Sequence, residues 1–428
     1  MTTRHNKSPY RGLPGIALLG AVVSAAPGSV QAKIEGLTGA SFAFSAGAAH
    51  VSTADGGSIP MWGYQDTTGL GVPQYPGPTL ILQEDVPVTI TLTSGLPHGQ
   101  CTSMLFPGHT VSATGGSAGI LTQEACPPAG GNPGTQVTYT FTPTEPGTYT
   151  YYSGTNMALQ VEMGLVGTIV VRPGTGADHA YNDPATAFDH EYLFFMSQMD
   201  PKVHELAAAG SFGQIDMSAY WPVYWFLNGR TAPDTLAAPY AGHLLYQPYD
   251  SRPRMTPGDK VLMRLVGGDQ GQHPFHFHGN NADVIARDGR LLKLGATLAP
   301  RSQFTTLSVP GETADQIFTW TGAKLGWDIY GHAPGDPMQP NEYAPDHGKS
   351  FPVVLPENQN LAFGGFWSGS PFLGSSEALP PGEGGLNPFS AYTFMWHSHT
   401  EKELTNYDIF PGGLMTMLFV EPPGTPIE

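Results

Sequence analysis

Near the end of the chain stands the stretch TFMWHSHT (residues 393–400), which lines up with the stretch TYTYYSGT (148–155) in the first half. Each stretch is followed by a Gly-Leu pair, at Gly164 and Leu165 in the first case and at Gly413 and Leu414 in the second. An apolar segment with the character of a strand closes both copies. This arrangement predicts that one β-structured unit occurs twice in the chain.

A second block supports the repeat. The hexapeptide SMLFPG (103–108) lines up with PFHFHG (274–279), and the two blocks occur in the same order in both halves. We therefore predict a first domain over residues 33–171 and a second over 189–428, joined by a linker rich in Gly, Asp, Ala and Pro. The alternative is chance similarity between short strand ends.

The composition predicts an all-β fold. Gly (55) and Pro (41) are abundant, charged residues make up only 12%, and helix-forming stretches are few. The best helix candidate, residues 203–209, is short. The predicted strands run apolar or alternate, and most are bounded by Gly, Pro or Asp. They cover residues 79–82, 86–92, 137–141, 167–171, 260–265, 304–309 and 414–420.

Residues 1–32 resemble a signal peptide. Arg4, Lys7 and Arg11 precede a short apolar run, and Val30-Gln31-Ala32 fits the small-x-small rule for cleavage. The alternative is an uncleaved anchor, but the apolar run is too short to span a bilayer. We therefore expect a secreted or periplasmic protein. The formal net charge of −17 argues against a nucleic-acid partner, and no other segment approaches a membrane span.

The chain has two cysteines, Cys101 and Cys126. In an oxidising compartment, an even number of cysteines favours a disulfide. A thiolate metal ligand is the alternative, which is weaker because neither cysteine lies in a His-rich motif.

Four histidines of the second copy carry the strongest functional signal, and they form two His-x-His pairs: His276 with His278, and His397 with His399. Residues two apart in a strand point to the same face, so two such strands direct four imidazoles toward one point. Imidazole clusters suit copper, zinc or iron. His273 lies close by and is a fifth candidate ligand. The first copy has Leu105, Pro107, Tyr152 and Gly154 at the four matching positions.

These motifs resemble those of the multicopper oxidases. The segment 273–279 is similar to the family's histidine motif, and 397–399 with 410–417 is similar to its C-terminal partner. The segments 76–79 and 160–164 are similar to its first-domain signatures. The resemblance implies cupredoxin-like Greek-key β-sandwiches, copper, an oxidoreductase activity on a small molecule or metal ion and, for two-domain members, a homotrimer.

Two departures from the family limit what the resemblance implies. Ser398 stands where the family has the cysteine that binds the blue type 1 copper, and Glu403 stands where it has the next histidine. Only His273 matches that site. The first copy offers no histidines for a trinuclear cluster, so the sequence predicts a mononuclear or dinuclear histidine site, either in a copper oxidoreductase or in a metal-binding carrier or scaffold protein.

Two further segments are left with open roles. Glu401 and Glu403 are candidates for a hydrogen bond to a ligand, a metal ligand or a general base, although we favour a solvated acidic loop. The second copy is lengthened by residues 322–387, which are full of Gly, Pro and Asn. This insertion either covers a site or is an exposed decoration.

Overall fold

The computed structural model of the protein describes residues 34–321 except 70 and 177, together with Pro337, Gly369–Ser370, 392–421 and 424–427. The predicted signal peptide lies outside the described residues. So does most of the predicted insertion 322–387.

The first half of the chain forms a β-sandwich whose strands alternate between buried and exposed side chains. In one of them Val137, Tyr139 and Phe141 are buried and the residues between them are not, which is the pattern of a strand with one face on the core. The strands are β1 (Leu37–Thr38), β2 (Ser41–Ser52), β3 (Ser58–Asp66), β4 (Gly77–Gln83), β5 (Val88–Ser94), β6 (Ser112–Gly115), β7 (Ser117–Ala118), β8 (Gln123–Glu124), β9 (Gln136–Phe141), β10 (Gly147–Tyr152) and β11 (Val166–Arg172). One sheet has the order β1-β4-β11-β10 and the other β3-β2-β5-β9-β6.

A disulfide joins Cys101 to Cys126 in this sandwich, the pairing that the sequence analysis favours. The two adjoining residues, Thr102 and Ala125, exchange backbone hydrogen bonds of 2.8 and 2.7 Å. The disulfide therefore joins two segments that also pair through their backbones.

The second half of the chain forms another β-sandwich. Its strands are β12 (His190–Met199), β13 (Tyr224–Leu227), β14 (Arg254–Met255), β15 (Lys260–Gly267), β16 (His273–Phe277), β17 (Ala282–Arg287), β18 (Arg290–Leu291), β19 (Lys293–Leu294), β20 (Thr297–Leu298), β21 (Arg301–Gln303), β22 (Thr305–Ser308), β23 (Thr313–Thr319), β24 (Gly369–Ser370), β25 (Tyr392–Ser398) and β26 (Met415–Val420). One sheet has the order β13-β12-β15-β23-β17-β18, and the other has the order β14-β26-β25-β16-β22.

The two sandwiches share one pattern of strand pairing. In the first, β2 pairs with β5 in parallel and β5 pairs with β9 antiparallel. In the second, β12 pairs with β15 in parallel and β15 pairs with β23 antiparallel. The other sheets match as well, because β4 runs parallel to β11 as β14 runs parallel to β26. The predicted all-β, cupredoxin-like fold is confirmed.

Helices are short in the described residues. The α-helices are α1 (Met157–Glu162) and α2 (Pro201–Ala208), and the second overlaps the predicted helix over 203–209. The 3-10 helices are Pro97–Gly99, Pro184–Thr186, Phe212–Gln214, Met217–Ala219, Asp234–Leu236 and Glu401–Leu404. None of the helices in the described part of the chain has the length and apolar character needed to cross a membrane.

An apolar cluster and a buried charge network hold the sandwiches together. Tyr75 of the first sandwich packs edge-to-face on Phe195 and Phe226 of the second, with ring centroids 6.3 and 5.9 Å apart. Beside this cluster, Glu191 accepts hydrogen bonds from Arg172 of the first sandwich and from Arg264 of the second. Aromatic packing and ion pairs on a buried carboxylate therefore join the two sandwiches.

The segment predicted as a linker is packed rather than loose. Ala180, Tyr181 and Phe188 are buried in an apolar cluster with residues of the second sandwich. The Tyr181 hydroxyl donates a hydrogen bond of 2.6 Å to Asp315.

Candidate metal centre

The pairing of β16 with β25 brings the two His-x-His motifs side by side. His276 lies directly opposite His397 in this antiparallel pair. His278 follows β16 immediately, and His399 follows β25. Because residues two apart share a face of a sheet, all four imidazoles project from one face of the second sandwich.

Three of the histidines form a compact group. His276, His278 and His397 each offer a ring nitrogen, and these nitrogens all lie within 4.8 Å of one another. The Nε2 atoms of His278 and His397 are 3.1 Å apart. Two nitrogens bound to one ion at about 2.0 Å are roughly 2.9 Å apart at a right angle and roughly 3.3 Å apart at a tetrahedral angle. The observed separation falls between these values.

Hydrogen bonds engage the Nδ1 atoms of two of these rings, and Nε2 of His397 lies within hydrogen-bond distance of Nε2 of His278. Nδ1 of His276 donates to the carbonyl oxygen of Phe304 at 2.7 Å, and Nδ1 of His397 lies 2.6 Å from the carbonyl oxygen of Ser398. A proton on Nδ1 places the lone pair on Nε2, which is how metal-binding histidines are usually oriented.

The environment of these two rings keeps them neutral. Burial lowers the pKa of His276, and the neighbouring His399 lowers it further. Burial also lowers the pKa of His397, and the rings of His276 and His399 act in the same direction. Neutral imidazole is the form that binds a metal ion, so both groups are in the binding form at neutral pH.

The core behind the site holds the strands in place. Trp396 is fully buried between the two sheets. Its indole nitrogen donates a hydrogen bond of 3.1 Å to the carbonyl oxygen of His278. Because Trp396 directly precedes His397, one core side chain links both motifs.

His399 lies at the edge of the group. Its ring centroid is 4.9 Å from that of His276 and 5.6 Å from that of His397. The side chain is 53% exposed, and Nδ1 is 3.9 Å from the carboxylate of the exposed Glu401. His399 therefore faces solvent on the open side of the cluster.

The structure does not bring His273 to the cluster. Its side chain is buried, with Nδ1 2.9 Å from Glu403 and Nε2 3.2 Å from Asp269. Burial by itself lowers the pKa of His273, but the two carboxylates outweigh it and raise the pKa to about 10. His273 is consequently a buried cation between two carboxylates, and both of its ring nitrogens are engaged.

Glu403 corrects one sequence interpretation. The sequence favours a solvated acidic loop for Glu401 and Glu403, and this is correct for Glu401 only. Glu403 is 5% exposed, because the 3-10 helix Glu401–Leu404 turns its side chain inward onto His273. Asp269 stands in no recognisable motif of the sequence. The only available signal was an acidic residue four positions before a candidate ligand.

The first sandwich has the same backbone arrangement without ligands. Leu105 and Tyr152 form an antiparallel bridge, as His276 and His397 do in the second sandwich. The backbone nitrogen of Ser153 donates to Leu165 at 3.0 Å, as that of Ser398 donates to Leu414 at 3.0 Å. The alignment of the two copies is thus correct in register, and apolar or aromatic side chains occupy the positions of the two paired histidines.

Comparison with known proteins shows which family the chain belongs to. Residues 57–176 match a family model described as multicopper oxidase, and residues 217–314 match a second model with the same description. Together the two matches cover about half of the chain. The chain belongs to the multicopper oxidase family.

Solved structures agree with this assignment at the level of the fold. The blue copper oxidase from Nitrosomonas europaea is 17% identical with a TM-score of 0.55, and the match covers 89% of this chain and 86% of that one. The multicopper oxidase mgLAC is 18% identical with a TM-score of 0.53, and its match covers 92% and 88%. No curated protein sequence matches the chain.

Family membership implies copper, and among the described residues one of the two candidate positions fits it. The cluster of His276, His278 and His397 has imidazole donors that suit copper. At the position of the family's type 1 copper, Ser398 offers a hydroxyl in place of a thiolate, and both nitrogens of His273 contact carboxylates. The second position does not fit a type 1 copper.

Proposed function

We propose that this multicopper oxidase relative is an exported copper oxidoreductase that acts at a single histidine site without a type 1 copper. The observation that supports it most directly is the convergence of His276, His278 and His397, whose ring nitrogens lie within 4.8 Å of one another. This geometry favours the mononuclear form of the site over the dinuclear one. His399 lies beside the ligands on the open side.

Copper bound there would supply one-electron redox chemistry, and the protein side chains would supply the rest. His276, His278 and His397 would hold the ion. The exposed His399 would meet a small-molecule or metal-ion substrate first. Because Ser398 provides no thiolate through which electrons could reach the site from a distance, the substrate must approach the histidines closely.

A metal carrier or scaffold is the second candidate. Two observations favour it: the engaged nitrogens of His273 at the type 1 position and the pairing of Leu105 with Tyr152 in place of histidines in the first sandwich. Metal binding by the second sandwich is common to both candidates, so only turnover separates them.

One pair of measurements tests the proposal. Copper content of the purified full chain is determined, and oxygen consumption is followed with phenols and with Fe(II) or Cu(I) as electron donors. Copper bound at about one equivalent with turnover supports the oxidoreductase. Copper bound without turnover for any donor supports the carrier or scaffold instead. Absence of stoichiometric copper, zinc or iron overturns the metal site itself.

Export and assembly are tested separately. Fractionation of the producing cells is expected to place the protein outside the cytoplasm, with residues 1–32 removed. Light scattering after size-exclusion chromatography is expected to give the mass of a homotrimer, the assembly that the family suggests. A monomer mass or a cytoplasmic protein that keeps residues 1–32 would contradict these two parts of the proposal.

A further inference from the structure

A buried group of three charged side chains lies directly behind the candidate metal site. His273 precedes His276 by three residues on β16, and Glu403 follows His399 by four residues in the 3-10 helix Glu401–Leu404. The contact between His273 and Glu403 therefore ties the start of one His-x-His strand to the turn after the other. Asp269 contacts His273 from the other side. We call these three residues the charged triad.

The charged triad fixes the orientation of the His273 ring. Nδ1 lies 2.9 Å from Glu403, and Nε2 lies 3.3 and 3.2 Å from the two oxygens of Asp269. The backbone nitrogen of Gly271 donates a further hydrogen bond of 2.9 Å to Asp269. With both ring nitrogens engaged, the imidazole has no freedom to turn, and the two segments that it connects are held at a fixed separation.

In the first sandwich, uncharged side chains form the hydrogen bonds at the positions that match His273 and Ser398. Thr102 and Ser153, which align with His273 and Ser398, both donate to the side-chain oxygen of Gln160, at 2.9 and 2.6 Å. Gln160 in turn donates to the carbonyl oxygen of Cys101 at 2.8 Å. All three side chains are fully buried. We call these residues the neutral triad.

The neutral triad closes the first sandwich with ordinary hydrogen bonds, so the fold itself does not require buried ions at this place. Buried ions are costly to desolvate and are tolerated only when fully paired. The charged version occurs in the sandwich that carries the histidine cluster, while the neutral version occurs where Leu105 and Tyr152 replace the paired histidines.

We propose that Asp269, His273 and Glu403 are positioning residues for the metal site: they lock the two His-x-His segments together so that the ligand nitrogens converge before a metal ion binds. This inference rests on the proposed metal site. It assigns the remnant of the type 1 position a role that requires no second copper ion. Residues that orient metal ligands typically change affinity by about 10- to 100-fold when substituted.

The test uses Glu403→Gln in the full chain, with Gln160→Leu of the neutral triad as the matched control. Copper(II) affinity is measured by competition with a chelator, the electron paramagnetic resonance spectrum of the copper(II)-loaded protein is recorded, and the unfolding of the metal-free protein is followed in urea. We expect Glu403→Gln to weaken copper(II) binding by about 10- to 100-fold and to change the spectrum. Gln160→Leu is expected to lower stability while leaving affinity and spectrum unchanged.

Each outcome decides the proposal. A folded Glu403→Gln protein with parental affinity and spectrum overturns it, and so does an equal loss of affinity in Gln160→Leu, which would show a general effect of stability. If Glu403→Gln does not fold, Asp269→Asn replaces it, because Asp269 holds the other nitrogen of the His273 ring. The same loss of affinity is expected, and parental affinity and spectrum in this variant would overturn the proposal as well. Failure of the metal site itself is recognised separately, since the parent protein would then bind no copper and His276→Ala would change nothing.

Discussion

His276 and His397 are direct cross-strand partners, and their ring centroids lie 5.4 Å apart on the same face of the second sandwich. Their placement depends on the register of β16 and β25, which a fully buried tryptophan, Trp396, supports from the core side. The site is therefore built on paired strands rather than on loops, and strands hold side chains more rigidly than loops do.

The first prediction concerns the ligands. The double variant His397→Ala and His399→Ala is expected to lose most of its bound metal, with affinity reduced by about 100-fold or more, because removing a ligand costs more than disturbing its partner. The single variant His399→Ala is the control and should retain most of the metal, since His399 lies at the edge of the group. Metal content by atomic emission after dialysis checks both, and unchanged stoichiometry in the double variant would refute the site.

The sequence alone predicts those parts of the site that depend on the two-residue alternation of a strand and on the internal repeat. Alternation of side chains along a strand placed His276 with His278 and His397 with His399, and the repeat predicted which residues of the first sandwich stand opposite them. The actual pairing of Leu105 with Tyr152 agrees with that alignment. The strand positions of β9 and β15 followed equally well from their apolar pattern.

The sequence does not predict contacts between segments that lie far apart along the chain. The neighbours of His273 are Asp269 and Glu403, and nothing in the spacing showed that a 3-10 helix would turn Glu403 inward. The strand His190–Met199 was also missed, because it is almost entirely buried. A strand buried on both faces loses the alternation by which strands are recognised.

The second prediction concerns optical absorption. The copper-loaded protein is expected to show no intense blue band, because that band requires a cysteine thiolate and Ser398 supplies only a hydroxyl. The variant Ser398→Cys is expected to remain without the band, since both nitrogens of His273 contact carboxylates. Visible spectra at increasing copper loading check this, and a strong band in the parent protein would contradict the alignment at position 398.

The third prediction concerns the disulfide between Cys101 and Cys126, which are 25 residues apart in sequence. Replacing both cysteines by serine is expected to lower the free energy of unfolding by roughly 3 kcal/mol, chiefly through the greater freedom of the unfolded chain. Urea unfolding of the two forms measures this difference. Copper affinity should stay unchanged because the bond lies in the other sandwich, and a loss of copper would show coupling that the structure does not suggest.

The fourth prediction concerns the buried ion pairs between the sandwiches. Glu191 is fully buried, and burial alone would raise its pKa, but Arg264 and Arg172 outweigh this effect and lower the pKa to about 2 from its ordinary value of 4.5. A carboxyl group whose pKa is lower in the folded protein contributes stability above the unfolded value. That contribution declines as the pH falls from 4.5 toward 2.

Glu191→Gln is therefore expected to cost several kcal/mol at pH 7, since it removes one of the carboxylates that pair with the buried Arg264 and leaves Asp315 to balance that charge. The difference from the parent should shrink below about pH 4.5, because the unfolded parent chain then takes up a proton at Glu191 while the folded protein, with its lowered pKa, does not. The control Glu312→Gln removes a partly exposed partner of Arg287 and should cost less than about 1 kcal/mol. Urea unfolding between pH 7 and pH 3 measures all three proteins. A difference between parent and Glu191→Gln that stayed constant over this range would show that the charge of Glu191 does not hold the two sandwiches together.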